Sequence, residues 1–261
     1  MASKTPKGLK KGKMIVNTSN EGWEIISQYA HGLLAGRIAE QIQLRSRPKN
    51  WVETITAIIE HDDNQIDLDM KSCLSENGSP MDFTLSKASS QDATVKRVQS
   101  LMEVSRYKSR WIALLISAHL DFLYNNADAG ADMKKFLKDE KKFRKNTIKI
   151  FDVSEQQLHD YYQVLRFCDR LSLILCKNQV PTLGRKLEIN KSIDNKTYFV
   201  SQDAAENTLV EPWCFEKPSF TVSVESRYLQ QPTFASGSAL KKALAKAPVT
   251  LKQLTISSKS S

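Results

Sequence analysis

Trp51-Val-Glu-Thr-Ile-Thr-Ala-Ile-Ile-Glu-His-Asp62 combines a helical apolar pattern with two titratable groups at its end. Val52, Ile55 and Ile59 recur at intervals of three and four, which predicts a helix from Trp51 to His61 behind the break at Pro48-Lys49-Asn50. His61 follows Ile58 by three residues. Asp62 follows Ile59 by three and Ile55 by seven, so an imidazole and a carboxylate close the helix on its apolar side. A buried carboxylate or imidazole without a partner costs on the order of several kcal/mol, so such groups are paired or ligate a metal.

Other segments send polar groups to the same kind of face. Leu34, Ile38 and Ile42 mark a helix over roughly 28–44, and His31 lies on its stripe, three before Leu34 and seven before Ile38. Helical patterns follow at about 91–105 and 107–125. In the second, His119 stands four beyond Leu115, three beyond Ile116 and four before Leu123. Ser154 with Gln157 forms a capping box that opens a long helix to about Cys176, and Asp169 lies in it between Leu165 and Leu173. Five titratable groups from four helices thus aim at a core. Each alone has an ordinary explanation, a core hydrogen bond or a cap; their concurrence is what points to a site. His159, in the polar first turn of its helix, reads as surface, and Asp121, between Ser117 and Asn125, reads as a polar face. Gly32 and Gly36 remove bulk beside His31, which suits a ligand or, at least as well, a helix-packing contact.

The ends of the chain read differently. Met14-Ile-Val, a turn-like Asn17-Thr-Ser-Asn-Glu-Gly22 and Trp23-Glu-Ile-Ile predict a β-hairpin. Asp62 to Lys87 reads as a long acidic loop, and Ala127 to Asn146 as a charged linker with a short helix. Beyond Gly184 the period becomes two, with Phe220, Val222 and Val224 alternating with polar residues, and Lys196-Thr-Tyr-Phe-Val strand-like. Ser238 then caps a short lysine-rich helix before a loose tail. The expectation is α+β: a mainly helical body of about five helices, an N-terminal hairpin and a small C-terminal β portion. Its parts are a basic tail at 1–13, the helical body at 14–183, a β/α portion at 184–250 packed on it, and a flexible tail at 251–261.

At 261 residues, 41% hydrophobic and 26% charged, the composition is that of a globular chain and excludes a disordered or fibrous one. The longest apolar run, Trp111 to Ala118, is far short of the ~20 residues a membrane span needs. The N-terminus leads into lysines rather than an apolar signal core, so a cytoplasmic protein without a membrane partner is expected. No glycine-rich phosphate loop occurs. The net charge of +9 is concentrated at the ends. Ten of the 38 basic residues are lysines in 1–13 and 228–261, which hold no acid. The remaining 28 face all 29 acids, so the body carries −1. No specific nucleic-acid partner is expected from that distribution. Cys168 and Cys176 sit in one helix with Cα atoms ~12 Å apart, beyond the reach of a disulfide. Reduced thiols fit best, and no cysteine pair has zinc-ribbon spacing.

The order His31, His61-Asp62, His119, Asp169 resembles the HD superfamily, helical metal-dependent phosphohydrolases with the signature H…HD…D. The resemblance implies that His31, His61, Asp62 and Asp169 hold a divalent metal, with His119 serving a second metal or the substrate phosphate. Further strings, Gln28-Tyr-Ala-His31, Glu60-His61-Asp62, Gly78-Ser-Pro80, Ser117-Ala-His119, Asp169-Arg-Leu-Ser-Leu173 and Pro212-Trp213-x-Phe215, make the chain from 14 to about 250 similar to a largely bacterial family catalogued as domain of unknown function 3891. Members commonly carry Gly-Trp shortly after the H-D pair, where this chain has Asp63-Asn64-Gln65.

Three imidazoles and two carboxylates without a thiolate suit Mn, Fe, Ni, Co or Zn. Such an ion lowers the pKa of a bound water and polarises a phosphoryl oxygen, with Asp63 or His119 handling the proton. The leading expectation is therefore a divalent-metal-dependent hydrolase of a small phosphorylated substrate, a phosphoester or nucleotide. Behind it stand an HD-type di-iron oxygenase, and a non-catalytic protein whose polar core is structural and whose lysine tails bind a partner.

Overall fold

The computed structural model describes residues 14–63, 73–85, 90–126 and 128–259. The basic tail at 1–13 and the Asn64-Gln65 departure lie outside the described residues. The chain opens with β1 (Met14–Ser19) and β2 (Gly22–Ser27), the antiparallel hairpin that the alternation predicts. Gly22 is required twice over: its φ is +131°, and a Cβ there would stand 2.2 Å from the Leu229 carbonyl oxygen. Period two puts Ile15 and Ile26 into the main core, while Met14 and Ile25 turn to a smaller cluster with Leu229, Phe234 and Leu240.

Ser27 ends β2 and caps α1 (Gln28–Ala39), accepting from the Ala30 N–H at 3.0 Å. There follow α2 (Trp51–Glu60), α3 (Gln91–Lys108), α4 (Arg110–Tyr124), α5 (Ala131–Ile150) and α6 (Glu155–Cys176). The capping box at the start of α6 is reciprocal: Gln157 N–H donates to Ser154 Oγ at 3.1 Å, and Ser154 N–H to Gln157 Oε1 at 2.9 Å. Two sequence expectations are corrected here. α5 is a 20-residue helix, not a short one in a linker; its buried residues Met133, Phe136, Leu137, Glu140 and Thr147 form a narrow stripe diluted by surface lysines. In α2 the buried face is Thr54, Ala57, Ile58 and His61, while Val52 is 75% exposed. Thr54 belongs inside because its hydroxyl accepts from Trp111 Nε1 at 2.8 Å and donates to the Asn50 carbonyl at 2.8 Å.

The second half supplies β3 (Leu187–Lys191), β4 (Thr197–Gln202), β5 (Thr208–Glu211), β6 (Ser219–Leu229), α7 (Gly237–Lys246) and β7 (Val249–Ser257). All strands join one curled sheet in the order β1-β2-β6-β7-β5-β4-β3, antiparallel except for the parallel β5–β7 pair. The fold is α+β as expected, with seven α-helices among the described residues. Its β portion is not small, because the hairpin and the C-terminal strands are the same sheet. Residues 251–257, expected as flexible tail, lie in β7 near the middle of that sheet, paired with β6 from Val249↔Arg227 to Ser257↔Ser219. Ser236 rather than Ser238 caps α7, accepting from Ala239 N–H at 3.2 Å.

The main core is continuous from α1, α4 and α6 to β4, β5, β6 and β7, with Trp111, Phe167, Phe215 and Tyr198 its largest buried side chains. Among the described residues no helix is long and apolar enough to cross a membrane. All four cysteines are buried and none forms a disulfide.

Candidate metal centre

The site begins with two missing side chains. A Cβ on Gly32 would stand 2.3 Å from the Ile59 carbonyl oxygen, and one on Gly36 would stand 2.6 Å from Ile59 Cγ1. The two glycines let α1 lie directly against α2, so their role is helix packing. That approach brings His31, in the second turn of α1, beside His61, which ends α2; their ring centroids are 5.5 Å apart. α4 carries His119 to the other side of His61, with ring centroids 5.0 Å apart and planes at 84°. α6 brings Asp169. The three histidines are 0–2% exposed, whereas the side chains of Asp169 and Asp62 are 20% and 23% exposed.

Second partners orient two of the rings. His61 Nδ1 is 2.7 Å from the Ile58 carbonyl, which can only accept, so Nδ1 carries the hydrogen. Ser172 Oγ donates to the Asp169 backbone carbonyl at 2.9 Å. With its hydrogen engaged there, it accepts from His31 Nδ1, also at 2.9 Å. Both histidines therefore turn Nε2 inward. Asp169 Oδ1 lies 3.3 Å from His31 Nε2 and 3.2 Å from His61 Nε2, yet both nitrogens are buried without an aligned hydrogen bond among the described residues. Asp62 Oδ2 is 3.7 Å from His61 Nε2, and the Tyr162 hydroxyl is 3.3 Å from His119 Nδ1.

Two groups of donors result: His31, His61 and Asp169, and His61, Asp62 and His119, each with ligand atoms within 4.8 Å of one another. An octahedral ion with bonds near ~2.1 Å spaces its ligands from roughly 3.0 Å (cis) to roughly 4.2 Å (trans). The separations around Nε2 of His31 and His61 fall in that interval. His61 belongs to both groups and has one inward nitrogen, so an ion held there would draw on donors from both. Asp63 joins neither. It sits at the rim, its N–H bonded to the Glu60 carbonyl at 3.0 Å, near the Lys108–Glu60 ion pair.

Charge is tightly shared. Burial pushes the His61 imidazole down, but the Asp169 and Asp62 carboxylates outweigh it and raise its pKa to about 10. Burial works against the Asp169 carboxylate as well, and His61 and His31 hold it well below the usual range. Burial and then the neighbouring His61 charge lower His119 to about 4. Burial, followed by the Glu60 carboxylate, lifts Asp63 to about 6. The donors are thus arranged for one positive charge between His61 and Asp169, supplied by a proton or by a cation.

Of the residues singled out in the sequence, His31, His61, Asp62, His119 and Asp169 come together and Asp63 flanks them. His159 is exposed, and Asp121 pairs with Arg144 at 3.3 Å, so both lie outside the cluster. Sequence reasoning missed Ser172 and Tyr162. A signal existed: they lie three after and seven before Asp169, on its face of α6.

Residues 14–231 match the family described as protein of unknown function (DUF3891), and the chain belongs to that family. No curated protein and no solved structure matches the chain. The family match carries no assignment to the HD superfamily, so the likeness to it rests on the order of the donors alone.

Proposed function

We propose that the cluster is a divalent-metal centre and that the protein uses it to hydrolyse a small phosphoester or nucleotide. One observation carries the reading: two fully buried imidazole nitrogens, Nε2 of His31 and His61, converge on Asp169 without an aligned hydrogen bond, while their Nδ1 atoms are anchored as donors. Leaving such atoms unpaired is costly, and metal-ligating histidines characteristically donate their other nitrogen in this way. His31, His61, Asp62 and Asp169 are the proposed ligands, with His119 closing the sphere. The nitrogen and carboxylate donors fit Mn, Fe, Co, Ni or Zn. Bound there, the ion supplies Lewis acidity towards water and a phosphoryl oxygen. Asp63, half-buried at the rim, is our candidate for passing the proton to solvent.

A second reading has an observation of its own. With a proton between them, His61 and Asp169 form a buried ion pair, which makes the cluster structural. The di-iron reading ranks behind both, because among the described residues a second ion lacks a ligand set that does not share His61. Elemental analysis of protein purified without chelator or affinity metal separates these readings. We expect about one transition-metal ion per chain, lost in His61→Ala and Asp62→Ala, with phosphoester hydrolysis following metal content. Protein that contains no metal and shows no thermal shift with Mn, Fe, Ni or Zn would leave the structural reading standing.

A further inference from the structure

Tyr162, which faces His119, also borders a groove of about 370 Å³ between α4, α5 and α6. Four basic side chains line it, Lys141, Arg144 and Lys145 from α5 and Arg166 from α6, against two acids, Asp121 and Glu155. Asp121 is already answered by Arg144, whose guanidinium also donates to Ser117 O and Oγ. Lys141 and Lys145 are exposed, one helical turn apart, and no ion pair engages either among the described residues. Like charges at that spacing repel unless an anion sits between them. Arg166 lies 4.3 Å over the Phe122 ring and donates Nη1 to Gln163 Oε1 at 2.9 Å, while its buried Nε has no hydrogen-bond partner among the described residues. A guanidinium and two lysines free of ion pairs, lining one groove, are a donor set that oxyanions take. The size suits a small molecule rather than a polymer.

We propose that this groove binds the phosphate groups of a small molecule, a phosphomonoester or a polyphosphate, through Lys141, Lys145 and Arg166. Tyr162 is the shared wall: its hydroxyl is 3.3 Å from His119 Nδ1, so the bound anion lies one side chain from the candidate metal centre. The reading of that centre bears on what happens after binding, not on the binding itself.

Pyrophosphate titrated calorimetrically into the full chain, after metal has been stripped and the chelator removed, tests the assignment. Saturable binding is expected, weakened at least about tenfold in the double variant Lys141→Ala/Lys145→Ala and in Arg166→Gln. It should stay unchanged in the control Lys134→Ala/Lys138→Ala on the same helix. The lysines are exposed, so their variants fold, and melting of Arg166→Gln checks the third. No binding by the stripped protein, equal weakening in the control, or indifference to the Lys141/Lys145 pair would overturn the proposal. Each of these outcomes would leave the metal reading intact. A protein that proves metal-free yet binds pyrophosphate through the groove would do the reverse.

Discussion

Ser172 shows how much of the candidate centre depends on residues that never enter it. Its hydroxyl accepts from His31 Nδ1 only because its own hydrogen is engaged by the Asp169 carbonyl, and that arrangement sets the tautomer that aims Nε2 at Asp169. Ser172→Ala should therefore keep the fold but weaken metal affinity roughly 10- to 100-fold, read by competition against a chromogenic chelator; an unchanged affinity would dismiss the orienting role. Glu24 is the counterpart far from the site. It is 3% exposed and accepts from Asn17 at 2.9 Å, Asn178 at 3.1 Å, Tyr228 at 3.2 Å and Lys252 at 3.2 Å. Burial pushes its carboxyl up, but the Asn17 bond and the Lys252 charge prevail and hold it below the usual glutamate value. A depressed folded value means added stability above the unfolded value, lost as pH falls through the folded one. Glu24→Gln should cost roughly 2–3 kcal/mol at neutral pH, and the gap to wild type should close as pH drops below about 4.5. Urea unfolding of both proteins across that range is the check, and a constant gap would contradict the assignment.

Between elements, the α1–α2 contact governs the site's geometry. Alanine favours a helix over glycine by about 1 kcal/mol, yet at Gly32 its Cβ meets a backbone oxygen at 2.3 Å, and at Gly36 it meets a side-chain atom, Ile59 Cγ1, at 2.6 Å. Gly32→Ala should thus destabilise by about 1–3 kcal/mol and loosen metal binding, since it parts His31 from His61. Gly36→Ala should cost less than Gly32→Ala, because a side chain can shift where a backbone carbonyl cannot. Chemical denaturation with parallel metal titration distinguishes the two, and equal effects would refute the close-approach argument. Elements with strong local signals were legible: the hairpin, the capping box at Ser154 and the helical spacing around His119. α5 was not, because its five buried residues are scattered among lysines that a helix tolerates at its surface and that read, in a string, as a charged linker. β7 was misread for a related reason. Leu254 and Ile256 do alternate with Gln253 and Thr255, but Ile256 is the one fully buried residue of the strand, so little apolar pattern marks it.

In the whole molecule β7 joins two halves of the sheet: β6 lies on one side of it, β5 on the other, and its Lys252 reaches Glu24 on β2. It also lies beyond residue 231, where the family match stops. Removing residues 248–261 should open two strand edges and give protein that aggregates or fails to melt cooperatively; a truncated chain with an unchanged transition would show β7 to be dispensable. If the centre holds an ion, saturating metal should raise the melting temperature of the full chain and leave that of His61→Ala unmoved. The sequence by itself determined the class of fold, most of its helices and which polar side chains lie on apolar faces, because those depend on spacings of two to seven residues that local geometry enforces. Only the tertiary structure decided that the hairpin and the C-terminal strands form one sheet. It alone turned two histidine nitrogens onto one carboxylate, and it set four cations around a groove beside Tyr162. Those arrangements depend on contacts between residues tens to hundreds of positions apart, and no local periodicity encodes where such segments meet.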